Sequence, residues 1–224
     1  MVGARTPAGC LVEFRADTVI GRALWTCGTF ERQELVTALR LARLDTCAFD
    51  VGANVGLFTV DMSRAVGPGG VVIAVEPVAS TAELLRSNLD RNGCTNVRIV
   101  VGAAGPEPGH VRLLLTDDPA HHSAGGLPNP GHPILGSTTV PSHTVDQLWF
   151  AEGTPKVSLV KIDVEGGEKG VLLGAARMIT TCRPPIIVEV RERNQLAEVV
   201  ALLPGYTRTA VSGFEPWNHL LVPE

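Results

Sequence analysis

The sequence predicts an α/β fold of the Rossmann-like kind, a mostly parallel sheet with helices on both faces and a short N-terminal extension. Three observations carry this. From Cys47 onward, apolar strand-like runs alternate with helical segments, the order that builds a parallel sheet wrapped by helices. The run CAFDVGANVG, Cys47 to Gly56, reads as a strand, a glycine turn and a helix start, the arrangement that cradles nucleotide-like ligands. Acids stand at the ends of four predicted strands, Asp50, Glu76, Asp163 and Glu189, and strand C-termini line the ligand edge of such sheets.

In chain order, residues 1–45 form the extension and 46–224 the main domain. The extension holds two apolar segments, Cys10 to Phe14 and Val19 to Leu24, then a helix with Leu35 and Leu39 on one face and Thr29 placed to cap it. Two roles fit: covering a sheet edge, or bringing Phe30 and Glu31 to the ligand cleft. Strand Cys47 to Val51 leads to a helix from Val55 to Val66, stopped by Gly67-Pro68-Gly69-Gly70. Strand Val71 to Val75, helix Ser80 to Arg91 and strand Val97 to Val101 follow.

Residues 105–136 break the rhythm with six prolines and four of the six histidines, interrupted only by a strand-like Val111 to Leu115. Such a segment is either mobile or a lid. His121 and His122 are adjacent and lack a partner at ligand spacing, so they read as exposed loop histidines, and no metal site is expected. Regular structure resumes with strand Ser137 to Ser142, a helix from Val145 capped by Thr144, and strand Val157 to Ile162. A helix from Glu168 to Ile179, strand Pro185 to Val190, helix Gln195 to Leu203 and a closing hairpin complete the chain.

The bulk numbers exclude several classes. At 224 residues and 45% hydrophobic content the chain builds a substantial core. A net charge of -4 offers no broad hold on phosphate backbones, so nucleic acid is not the expected partner. Five scattered cysteines without a C-x-x-C pair suggest neither disulfides nor zinc. No run is long enough for a membrane span and no secretory leader is recognisable, so a cytoplasmic location is expected.

The glycine spacing narrows the ligand. A dinucleotide loop reads G-x-G-x-x-G and meets a pyrophosphate, whereas Gly52 and Gly56 stand four apart with Asp50 just before them. An acid there repels a pyrophosphate and suits the ammonium and sulfonium of S-adenosylmethionine. The expected cofactor contacts are Gly52, Ala53, Asn54 and Gly56 at the methionine end, with Asp50 and Thr59 beside them. Glu76 falls at the ribose and Gly102 and Ala103, in the Val101 to Ala104 turn, at the adenine, with Pro77, Glu31 and Asp163 as further cofactor contacts. Asp163 leads as the group that orients the ligand or accepts a proton, with His143 and Glu165 behind it. Asp163, Glu165 and Lys161 also fit an internal ion-pair set.

These residues resemble the FkbM family of S-adenosylmethionine-dependent methyltransferases. The likeness runs through Thr29-Phe30-Glu31, FDVGANVGLFT, VEP, the Thr144-Val145-Asp146 helix start, VKIDVEGGEKGVLLGA and PIIVEV, and is weakest at 105–136. It implies a seven-stranded class I methyltransferase fold and methyl transfer to a hydroxyl of a small natural product, sugar or glycan. Two other functions remain possible at this point: a nicotinamide-dependent oxidoreductase and a methyltransferase-like binding module without catalysis.

Overall fold

The structure is a computed structural model and describes residues 1–28, 30–117, 122–124 and 133–224. Its centre is a seven-stranded sheet with order β12-β13-β11-β10-β3-β4-β5. The strands are β3 (Cys47–Val51), β4 (Val71–Glu76), β5 (Val97–Val101), β10 (Val157–Ile162), β11 (Ile186–Glu189), β12 (Tyr206–Thr209) and β13 (Asn218–Pro223). The five strands from β5 across to β11 run parallel, and β13 pairs antiparallel with both β11 and β12. The order steps outward from β3 to β5 on one side and from β10 to β11 on the other. The strand order therefore reverses between β3 and β10, and a crevice opens at their C-terminal ends.

Both faces of the sheet are buried, which explains why its strands are apolar without alternation. Along β3, Ala48 packs on one face with Leu35 of α2 (Arg32–Leu41), Val60 of α3 (Leu57–Val66) and Leu85 of α4 (Ala79–Arg91). Cys47, Phe49 and Val51 point to the other face, towards Trp149 of α5 (Val145–Ala151) and Met178 of α7 (Ala176–Cys182). Burying a ring such as Phe49 contributes about 1.5–3 kcal/mol.

Before the sheet come β1 (Val2–Arg5), β2 (Leu11–Phe14) and α1 (Val19–Cys27), with Thr18 accepting a hydrogen bond from Gly21 as the α1 cap. Among the described residues the β1-β2 hairpin joins no other sheet. Asn88 of α4 and Asn92 at its C-cap hold the hairpin's second strand. Asn92 accepts from Leu11 N and donates to Leu11 O, and Asn88 does the same for Glu13 N and O, at 2.8–3.0 Å. Each amide stands in for a missing strand neighbour.

Residues 105–136 hold more regular structure than their prolines suggest. The strand β7 covers Gly109–Thr116 and pairs antiparallel with β9 (Ile134–His143), while β6 (Ala103–Ala104) and β8 (Ser123–Ala124) flank them in a four-stranded sheet. Pro106, Pro108 and Pro133 sit outside the strands, and Val111 and Leu113 bury one face, which accounts for the longer pairing. Thr144 caps α5 in a capping box with Gln147, as expected.

The helix expected over 168–179 is two helices, α6 (Glu168–Leu173) and α7. Asp146 accepts from Arg177 N and Met178 N at 3.0 and 2.8 Å, so the first turn of α7 is capped from α5. The strand β11 is followed by α8 (Arg193–Ala201), ahead of β12. For α2, the residue in the N-cap position is Glu31, and Thr29 lies outside the described residues.

Candidate active site

A cleft opens over the crevice between β3 and β10, with β4 forming its far wall. Its described lining includes Gly52, Asn54, Glu76, Gly102, Asp163 and Glu165, and Pro77, Ala103 and His122 also face it. The space within it, the open solvent at its mouth included, is about 610 Å³.

The loop after β3 is locked by its own backbone. Gly52 N and Ala53 N both donate to Val75 O at 2.9 Å, Gly56 N to Ala53 O at 2.9 Å, and Asn54 N to Glu76 Oε2 at 3.0 Å. Gly52 has φ +85°, and a Cβ there would lie 1.7 Å from the Asp163 carbonyl oxygen. Only glycine fits so close a passage of the β3 and β10 loops. Gly56 occupies the N-cap position of α3, and Ala53 is buried beneath the loop, so these two shape the turn without lining the cleft.

Glu76 ends β4 and is buried. Val78 N donates to Oε1 at 2.9 Å and Asn54 N to Oε2 at 3.0 Å, which fixes the carboxylate plane. Each oxygen keeps a further lone pair for a ligand hydroxyl. Burial outweighs these two hydrogen bonds and pushes the carboxyl up to about 7.

Asp50 departs from expectation. Along β3 it shares a face with Ala48, on the α3 side of the sheet, and it is absent from the described cleft lining. Its Oδ2 accepts from Thr59 Oγ1 at 2.5 Å, and both residues are buried. Burial pushes the Asp50 carboxyl up to about 6 against the Thr59 hydrogen bond and the Lys161 ammonium. The pair ties the strand end to the first turns of α3.

Beside the cleft, Glu31, Asp163 and Glu189 each bring one oxygen to within 4.8 Å of the others. Such spacing suits a cation, and Lys161 supplies the positive charge: its ammonium lies 3.1 Å from Asp163 Oδ2 and 4.9 Å from the Phe58 ring centroid. Burial opposes the charge on Lys161, but Asp163, Glu31, Glu189 and Asp50 together hold its pKa above the usual lysine range. Glu189 Oε1 accepts from Arg191 Nε at 2.8 Å and pairs with its Nη2 at 2.7 Å. Burial, followed by the charge of Asp163, pushes the Glu189 carboxyl upward even so. Asn218 Nδ2 donates to Glu31 Oε1 at 3.0 Å.

Asp163 thus joins the cleft to the acid cluster and pairs with Lys161 as expected, while Glu165 Oε1 lies 4.0 Å from Arg191 Nη2 instead. Glu165 also faces the cleft, its backbone at φ 53° and its carbonyl accepting from Ser123 Oγ at 2.6 Å. Glu31 lies in the cluster instead of the described cleft wall. His143 is elsewhere: its ring abuts Gly102, where a Cβ would meet it at 3.1 Å, and it does not line the described cleft. The β6-β9 pairing of Ala104 with His143 directs it there. His122 does line the cleft, with Nδ1 accepting from Thr116 N at 3.1 Å, so it is not a free loop histidine; His121 falls outside the described residues.

Glu189, Lys161 and Asn218 extend the site beyond the residues expected from sequence. The strand-end pattern marks the first, and Lys161 was legible as an ion-pair partner; no local signal marks Asn218, which arrives from the closing hairpin.

Comparison with known proteins agrees with this architecture. The profile of the methyltransferase FkbM domain matches residues 50–209. The 31-O-demethyl-FK506 methyltransferase FkbM of Streptomyces tacrolimicus is 29% identical, covering 75% of this chain and 74% of its own. The hexuronic acid methyltransferase AglP of Haloferax volcanii is 27% identical, covering 88% and 77%. Among solved structures, a methyltransferase FkbM from Methylobacillus flagellatus superposes with TM-score 0.56 at 16% identity, over 90% of this chain and 52% of that one. A precorrin-6y C5,15-methyltransferase from Geobacter metallireducens superposes with TM-score 0.52 at 18% identity, over 86% of each. At these identities the structures establish the fold, a class I methyltransferase sheet, and the matched profile covers most of the chain. The chain belongs to the FkbM family and is a methyltransferase.

Proposed function

We propose that this enzyme transfers a methyl group from S-adenosylmethionine to a hydroxyl oxygen of a small natural product, sugar or related metabolite. The observation that carries the cofactor assignment is the state of the glycine loop. The N–H groups of Gly52, Ala53, Asn54 and Gly56 are all donated within the protein, so they form no cradle for a pyrophosphate. What the site offers beside the loop is the Glu76 carboxylate at the end of β4, fixed in plane and able to accept from both hydroxyls of a ribose. This combination suits a nucleoside without a phosphate and argues against a nicotinamide dinucleotide. The relatives named for methylation of a demethylated natural product and of a hexuronic acid support an oxygen acceptor on a small molecule.

In this reading Glu76 holds the ribose, and Gly102 and Ala103 with Pro77 form the adenine wall. Asp163, oriented by Lys161, faces the cationic end of the cofactor. When bound, S-adenosylmethionine supplies a methyl group already activated by its sulfonium. The residues around it therefore have to place an oxygen in line, about 3–3.5 Å from the methyl carbon, and receive one proton. The four-stranded sheet of β6 to β9, docked on the Val164–Gly167 loop through Ser123 of β8, is proposed as the wall that shields this geometry from water.

The test is label transfer. The enzyme with S-[methyl-³H]adenosylmethionine and a metabolite extract of the source organism is expected to yield a labelled small molecule whose label survives as a methyl ether. Label recovered only in protein or nucleic acid contradicts the substrate class.

A further inference from the structure

The pairing that fastens the N-terminal extension to α4 stops one step short of the cofactor cleft. Asn92 holds Leu11 and Asn88 holds Glu13, so four residues back along the helix match two residues forward along β2. These steps are about 6 Å on the helix and about 6.6 Å on the strand, close enough to stay in register. The next step would pair Leu84 with Arg15. Leucine has no amide to offer, and the Arg15 carbonyl instead accepts from Thr18 N and Thr18 Oγ1. A cavity opens there between the extension and the helix, of about 530 Å³ with the open solvent at its mouth included.

Phe14, Ile20, Val55 and Leu84 give this cavity apolar walls, and Ser80 and Thr81 bring polar groups to it from the first turn of α4. The helix has no side-chain cap, and among the described residues the N–H groups of Ser80 and Thr81 find no acceptor. The Thr81 hydroxyl is likewise without a partner among the described residues, although Thr81 is only 8% exposed. Buried hydroxyls are seldom left in that state, and this one belongs to a residue lining a cavity that a ligand can enter.

Charge separates this cavity from the cofactor cleft. The cleft carries Glu76, Asp163 and Glu165, whereas the described lining of the cavity holds no carboxylate. Its charged residue is Arg15, whose Nε and Nη2 donate to Asp17 at 3.1 and 2.6 Å, so that cation is partly neutralised already. Open N–H groups at a helix N-terminus, a donor hydroxyl and a nearby guanidinium favour an anionic oxygen. The apolar walls favour a hydrocarbon body behind it. Asn54 lines both spaces, so one molecule can lie across it with an end in each.

We propose that this cavity is a second subsite for the methyl acceptor and takes its remote end, a carboxylate carried on an apolar body. This rests on the methyl-transfer reading above. Thr81 Oγ1 and the first-turn N–H groups of α4 hold the carboxylate, and the hydroxyl to be methylated reaches over Asn54 into the cleft. Contacts far from the reacting oxygen then hold it in place for an in-line transfer. Phe14 and Ile20 come from the extension, which thereby takes part in choosing the acceptor.

The probe is hexanoate, with hexan-1-ol as its uncharged counterpart, titrated calorimetrically into the whole protein saturated with S-adenosylhomocysteine. Hexanoate is expected to bind saturably, and the alcohol at least about tenfold more weakly. Thr81→Val keeps the shape and is expected to weaken hexanoate about five- to tenfold. Leu84→Trp fills the cavity and is expected to abolish saturable hexanoate binding, with S-adenosylhomocysteine affinity within about threefold of the parent in both variants. In the label-transfer assay at limiting extract, hexanoate is expected to suppress the labelled product, and Leu84→Trp to lower it at least about tenfold. No saturable hexanoate binding, or binding that Leu84→Trp leaves unchanged, overturns the proposal. So does transfer by Leu84→Trp within about twofold of the parent, which denies the cavity to the acceptor. Should Leu84→Trp lose S-adenosylhomocysteine affinity as well, Thr81→Val decides: transfer within about twofold of the parent at limiting extract overturns the proposal, and a larger loss with that affinity intact supports it. A parent enzyme that moves no label defeats the methyl-transfer reading and the acceptor role together, whereas label transfer without hexanoate binding defeats the subsite alone.

Discussion

The Lys161 ammonium lies 3.1 Å from Asp163 Oδ2, two residues further along the chain where β10 leaves the sheet. Lys161 is fully buried and Asp163 reaches the cleft, so the pair links the interior of the sheet to the site. Asp163→Asn keeps the shape and leaves Lys161 with the Glu31 and Glu189 carboxylates. Methyl transfer is expected to fall at least about a hundredfold, with unfolding free energy reduced by only about 1–2 kcal/mol. Lys161→Met has the opposite balance. It leaves Asp163, Glu31, Glu189 and Asp50 without their buried cation, and a stability loss of about 3–5 kcal/mol is expected in urea unfolding.

Glu76 makes cofactor binding depend on pH. Its carboxyl is raised by burial to about 7 in the free protein, and ribose hydroxyls donate to the ionised form. S-adenosylhomocysteine affinity should therefore weaken as pH falls below 7, by at most about tenfold per unit. Stability runs the other way. A carboxyl raised on folding contributes stability that is fully present below its unfolded pKa and lost as pH rises through about 7. Calorimetry across this range, with Glu76→Gln as the flat control, checks the first effect, and thermal unfolding of the free protein checks the second.

Gly52→Ala tests the contact between the two loops. The added methyl would meet the Asp163 carbonyl at 1.7 Å and would hold φ at +85°, so the loops must part. A loss of at least about 2 kcal/mol is expected in unfolding, with S-adenosylhomocysteine affinity reduced more than about tenfold. Unchanged affinity would show that the β3-β10 approach is not needed for binding.

Asn88 connects the N-terminal extension to the site. Its amide accepts from Glu13 N and donates to Glu13 O and to Val55 O, the latter in the glycine loop. Asn88→Ala strands these groups in the interior, and about 2–3 kcal/mol of destabilisation is expected. Hydrogen exchange should accelerate at Glu13 before it does in β3.

Much of this arrangement was legible because parallel-sheet physics writes itself into sequence. The apolar runs of β3, β4, β5 and β10 have the observed bounds within one residue, and Glu76 follows from the strand-end rule. Asp50 was misplaced because its position in the motif says nothing of facing; the alternation of β3 turns it towards Thr59. The strand centres of β7 and β9, Val111 to Leu115 and Ser137 to Ser142, were legible, and the flanking prolines hid only how far each strand extends. The Glu31 pairing was beyond local reading, since its partner Asn218 lies 187 residues away. Only the return of β13 beside β11 brings the two together.

The most direct measurement is calorimetric titration of the enzyme with S-adenosylhomocysteine and, separately, with NAD⁺. The account predicts saturable binding of S-adenosylhomocysteine that Glu76→Ala weakens by more than about tenfold, and no saturable heat with NAD⁺. Saturable binding of NAD⁺ with none of S-adenosylhomocysteine would contradict it.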